Sequence, residues 1–132
     1  MTTNDFEILE VTFREASAAV LKPFQALVHK EWPNAVARIS ASTRGQKSSA
    51  TLSVLHRQDG DGVDLQLALS RIDDAIWYEL VLFLGQSTLV TLDCKTTNSP
   101  PTEAEELKSI VRDSAIFIEP RLLDAVRLAA SS

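Results

Sequence analysis

Residues 62–95, GVDLQLALSRIDDAIWYELVLFLGQSTLVTLDCK, constrain the fold most, because apolar side chains alternate through three consecutive segments separated only by short polar breaks. Period-two alternation marks strands, and breaks this short join antiparallel neighbours. With Asp73-Asp74 as a two-residue turn, Leu69 falls opposite Tyr78, Leu67 opposite Leu80, Leu65 opposite Leu82 and Val63 opposite Leu84. With Gln86-Ser87 as the next turn, Leu84 falls opposite Leu89. One sheet face then carries Val63, Leu65, Leu67, Leu69, Tyr78, Leu80, Leu82, Leu84 and Leu89, a core for helices to cover. A one-residue slip would set Glu79 opposite Leu67 in that core at a desolvation cost, which favours this register.

The same register gives the opposite face Trp77, Val81, Phe83, Val90 and Leu92, framed by Asp64, Gln66, Ser70 and Glu79. A broad apolar patch in a polar frame has the character of a protein interface, with Trp as a favoured anchor. Asp73 and Asp74 at the turn would steer a basic partner towards it. Two alternatives stay open. A C-terminal helix covers this face in a third layer, or the face makes a homodimer.

Around this meander the chain reads as helical. From Asp5 to Glu31, Phe6, Leu9, Phe13, Ala16, Val20, Phe24 and Leu27 recur at three- and four-residue steps, the stripe of an amphipathic helix. Pro23 is expected to kink or split it, and Trp32-Pro33 to end it. FEILEVTF also alternates, so residues 6–13 read equally as an edge strand. Residues 35–42 and 49–57 read as strands joined by the polar turn TRGQKS, and QDGDG as the next turn. Thr102 with Glu105 forms a capping box before Leu107, Ile110 and Val111, and Pro120 suits the first turn of a last helix bearing Leu122, Leu123 and Val126. The expectation is a single α+β domain over residues 1–132: a long N-terminal helix, an antiparallel meander of four to five strands, and two C-terminal helices.

Charge narrows the partners. Residues 1–58 carry seven Lys/Arg against five Asp/Glu, and residues 59–132 carry six against thirteen, so the second half is acidic at −7. That balance argues against nucleic acid, which needs a basic stripe, and favours a basic protein surface. The apolar runs are too short to span a bilayer, the start MTTNDFEILE has no leader pattern, and Cys94 is the one cysteine. A cytoplasmic location is expected.

Residues that invite chemistry mostly decline it. Asp59, Asp61 and Asp64 superficially match a calcium loop, but position five is Val63 and position twelve is Ser70, so the segment reads as a turn. His29, His56 and Cys94 lack the spacing of a zinc site, and nothing local activates Cys94 as a nucleophile. Glu79 and Asp93 are carboxylates in apolar strands, but this register puts them on opposite faces, against a paired-carboxylate mechanism. No phosphate-binding or nucleophile-elbow pattern occurs. No enzyme, cofactor or metal is expected.

A small acidic α+β chain with a long first helix and the meander GVDLQLALSRIDDAIWYELVLFLGQSTLVTLD resembles immunity proteins of bacterial polymorphic and contact-dependent toxin systems. The resemblance covers the layout of residues 5–95 and has no motif from which functional residues transfer. It implies a non-enzymatic protein that binds a cognate toxin or effector and occludes it. The residues themselves point to Trp77 and Phe83 as anchors, with Asp64, Gln66, Ser70, Glu79, Asp73 and Asp74 around them. A type III-like secretion chaperone, which holds an extended client and dimerises, is the rival reading. A small-ligand or enzymatic α+β domain using Glu79, Asp93 or His56 is the third.

Overall fold

A computed structural model of the chain describes residues 3–73, 75–96 and 102–131. In chain order the elements are α1 (Thr3–Glu31), β1 (Val36–Arg44), β2 (Lys47–Leu55), β3 (Val63–Ile72), β4 (Ala75–Leu84), β5 (Ser87–Lys95) and α2 (Thr102–Ser131). The strands form one antiparallel meander in the order β1-β2-β3-β4-β5.

The two helices are each continuous. In α1, Phe6, Leu9, Phe13, Ser17, Leu21, Phe24 and Val28 are buried, a stripe of three- and four-residue steps that makes residues 6–13 helix rather than edge strand. The helix is not split at Pro23. Pro23 lies on the exposed side, and so does Ala19, whose carbonyl loses its partner to the proline and meets water instead. Pro120 behaves the same way. The expected pair of C-terminal helices is one helix, because the residue four before Pro120 is the exposed Ile116. The buried stripe Leu107, Val111, Ser114, Ile118, Leu122, Ala125 and Ala129 runs past Pro120 without a break.

Both helices lie on one side of the sheet, so the domain has two layers. Alternation along the strands turns Leu52, Val54, Val63, Leu65, Leu67, Leu69, Tyr78, Leu80 and Leu82 towards them, and all are buried in one cluster with the helix stripes. Full burial of a Leu or Val stabilises by about 1.5–3 kcal/mol each, so this face holds the layers together. The helices run in the same direction. Phe13 of α1 packs edge-on against Tyr78, with ring centroids 6.4 Å apart, and Tyr78 Oη lies 2.7 Å from Ser114 Oγ of α2. At the far end, Trp32 beyond α1 packs on His56, whose Nε2 donates to the carbonyl of Val126 in α2 at 2.9 Å.

The β3–β4 register is the expected one: Ile72 pairs with Ala75 and Leu67 with Leu80. Asp73 takes φ 50°, a left-handed turn conformation that Asp tolerates. The β4–β5 hairpin differs. Leu84 pairs with Ser87, so the turn is Gly85-Gln86 rather than Gln86-Ser87. Gly85 has φ 60°, and a Cβ there would meet the Asp61 side chain at 3.0 Å, so glycine is required. A bulge follows, since Phe83 pairs with Thr88 but Leu82 with Val90, and Leu89 is the extra residue. Leu89 is therefore 45% exposed and leaves the expected core. The β1–β2 turn is also tighter than TRGQKS implies, at Gly45-Gln46.

The helix layer is one strand narrow. Helices packed about 8–10 Å apart cover roughly two strands each at a spacing of about 4.8 Å. Accordingly α1 lies over β1, β2 and β3, and α2 over β3 and β4, leaving β5 as a rim. Among the described residues, no helix is long and apolar enough to cross a membrane.

Candidate protein-binding face

With both helices on one side, the other side of the sheet carries no covering element among the described residues. Strand alternation places Asp64, Gln66, Ser70, Trp77, Glu79 and Phe83 together on this outer face, each half-buried by its neighbours. Phe83 stands opposite Asp64, and Trp77 stands between Ser70 and Lys95. Ala68 and Val81 are buried here yet stand outside the core cluster, covered only by the side chains around them. Asp73 is exposed at the β3–β4 turn, and Asp74 lies outside the described residues.

The bulge at Leu89 rearranges the rest. Val90 and Leu92 do not belong to this face: they pair with Leu82 and Leu80 on the helix side, and Cys94 pairs with Tyr78 there. The outer residues of β5 are instead Thr91, Asp93 and Lys95, which makes the patch smaller and more acidic than expected. Glu79 and Asp93, expected on opposite faces, are directly paired. Neither has an ion-pair partner among the described residues. With Lys47, Ser70, Ile72 and Trp77 they line a shallow cavity of about 220 Å³.

The helix side of the rim forms a second feature. Tyr78, Leu92, Cys94, Ile110, Ser114 and Phe117 line a slot of about 360 Å³ between α2 and β5. The guanidinium of Arg121 caps Phe117 at 4.4 Å from the ring centre. Burial pushes the Cys94 thiol above its ordinary value, and Glu106 and Asp93 add to the rise by repulsion. Such a thiol is a poor nucleophile. His56 is held between Trp32 and the Val126 carbonyl, on the helix side and away from Glu79 and Asp93. No group of three His, Cys, Asp or Glu side chains is placed to hold a metal among the described residues. The arrangement is suited to binding through a mixed apolar and acidic surface.

No known family model, curated protein or solved structure matches the chain. Sequence alternation marked seven of the outer-face residues, Asp64, Gln66, Ser70, Trp77, Glu79, Val81 and Phe83. Asp93 was missed because the bulge that turns it outward leaves no mark in the hydrophobic pattern, although Gly85 was a visible sign of an earlier turn.

Proposed function

We propose that this chain is a non-enzymatic binding protein that neutralises a cognate bacterial toxin in the cytoplasm, docking its uncovered sheet face over the toxin and occluding it. The observation that supports the reading is the Glu79–Asp93 pair beside Trp77 on that face. Like charges directly opposite across strands repel, and a basic partner surface relieves the repulsion while Trp77 and Phe83 supply apolar anchors. Asp64 and Asp73 extend the acidic field around them.

Capture with the tagged chain from its native cells tests this. The expected result is one folded partner, held stoichiometrically and released by salt, that stops growth when expressed alone and is harmless when co-expressed. Trp77→Ala and Glu79→Lys should each lose the partner while keeping the fold. Retention by both variants would remove the outer face from the interface, and a partner without effect on growth would remove the toxin.

A secretion chaperone is the second reading, favoured by the slot between α2 and β5, the last strand of the sheet. An extended client would add to that edge. In that case the bound partner segment is protease-sensitive, and Leu92→Asp rather than Trp77→Ala abolishes capture.

A further inference from the structure

A cleft of about 470 Å³ opens on the outer face at the corner diagonal to Trp77, where β1 begins and β2 ends. Val36 pairs with Leu55 and Arg38 with Ser53, so an apolar pair and a guanidinium–hydroxyl pair lie side by side on this surface. Arg57 lies two residues past Leu55, beyond the end of β2, and lines the cleft beside it. The chain then turns back, the Gly60 amide donating to the Arg57 carbonyl at 3.1 Å. His56, itself part of the cleft's lining with Arg57 and Gln58, is anchored to the other layer by Val126 and Trp32. That anchor fixes the walls on either side of it.

Two properties of this corner need an explanation. Val36 is 48% exposed at the edge of the sheet, with Leu55 beside it, so the floor is apolar and open to water. Arg38 and Arg57 both line the cleft around that floor, and neither has an ion-pair or hydrogen-bond partner among the described residues. Four other arginines are engaged, Arg14 with Glu10, Arg112 with Asp113, Arg127 with Asp124, and Arg121 over Phe117, whereas Arg44 at the far end of β1 is exposed like Arg38. On its face Arg38 is flanked by Val36, Ser40 and Ser53, with Asp64 next in that row beyond Ser53 and not ion-paired to it.

We infer that this corner binds a small molecule bearing a carboxylate on an apolar body. Two guanidiniums reaching over the Val36–Leu55 floor present forked donors, the geometry that carboxylates match. The apolar body covers the floor, which a bare inorganic anion would leave wet. The volume lies within the range of small-molecule sites, about 300–1,000 Å³. The site is separate from the Trp77 end and does not depend on toxin binding.

Titration of the whole chain by ¹H–¹⁵N NMR, with phenylacetate and hexanoate as probes and phenylacetamide as the neutral control, tests it. Saturable shifts centred on the amides of Val36, Arg38, Ser53 and Leu55 are expected with a carboxylate probe. Affinity should fall at least tenfold for phenylacetamide and for either Arg38→Gln or Arg57→Gln, whose side chains are exposed and whose spectra should stay folded. Absence of saturable shifts with both carboxylates overturns the inference. So does equal binding of phenylacetamide, or binding untouched by both arginine variants.

Discussion

Glu79 and Asp93 face each other across β4 and β5 on the uncovered side of the sheet, with Lys47 lining the same shallow cavity and no ion pair to either carboxylate among the described residues. A directly opposed like-charge pair costs about 0.2–1 kcal/mol relative to a neutral one. Glu79→Gln should therefore raise the thermal midpoint by about 1–4 °C while weakening capture of a basic partner. Asp93→Lys should raise it too, by creating an opposed ion pair. A midpoint that falls in both variants would show that the carboxylates are stabilised by something other than a partner.

The Tyr78–Ser114 contact joins β4 to α2 inside the core, and its direction follows from the partners. Ser114 Oγ donates its proton to the Val111 carbonyl at 2.7 Å, so Tyr78 must be the donor to Ser114. Ser114→Ala leaves a buried phenol proton without an acceptor and should cost about 1–3 kcal/mol. Tyr78→Phe leaves Ser114 bonded to Val111 and should cost less, about 0.5–1.5 kcal/mol. Chemical denaturation of the two variants checks the order, and equal or reversed losses would contradict the assigned donor.

Tyr78 also sets an alkaline limit. Burial raises its phenol well above the ordinary value of 10.0. The folded state thus resists ionisation more than the unfolded state. Its contribution is intact below pH 10 and declines by about 1.4 kcal/mol per pH unit as pH rises above it. Tyr78 is the one tyrosine in the chain, so absorbance at 295 nm reports it alone. The phenolate should appear together with loss of the folded circular dichroism signal, and a titration near pH 10 in the folded protein would refute the buried assignment.

Cys94 offers a probe of the helix side of the rim. Its thiol is raised by burial first and by Glu106 and Asp93 after it, so at pH 8 less of it is thiolate than in the unfolded chain. Alkylation by iodoacetamide should be severalfold slower in buffer than in urea, and Asp93→Asn should speed it in buffer. Equal rates in the folded and unfolded chain would place Cys94 in ordinary solvent.

The central hairpin was readable because both of its strands carry the same alternation, and only one register keeps Glu79 out of the core. The next hairpin was not. Its polar residues allow two turns, and the choice lies in the left-handed angle at Gly85 and the spare residue Leu89, neither of which alters hydrophobic spacing. Pro23 and Pro120 suggested helix ends because proline breaks interior turns, but each sits where water takes the freed carbonyl. The outer face was visible as far as alternation in β3 and β4 reached. The Val36–Arg57 cleft was hidden because it joins the start of β1 to a segment beyond β2, more than twenty positions along the chain.

Because α1 and α2 run in the same direction, the two ends of the described chain leave the domain at opposite poles. Thr3 begins at the pole of Trp77 and Lys95, whereas Ser131 lies one turn past Val126 at the pole of His56. A reporter fused after Ser131 would project from the helix layer at the His56 pole, and one fused before Thr3 from the same layer at the Trp77 pole. Labels at the two ends would thus span the length of the domain while leaving the outer face of the sheet open to a partner.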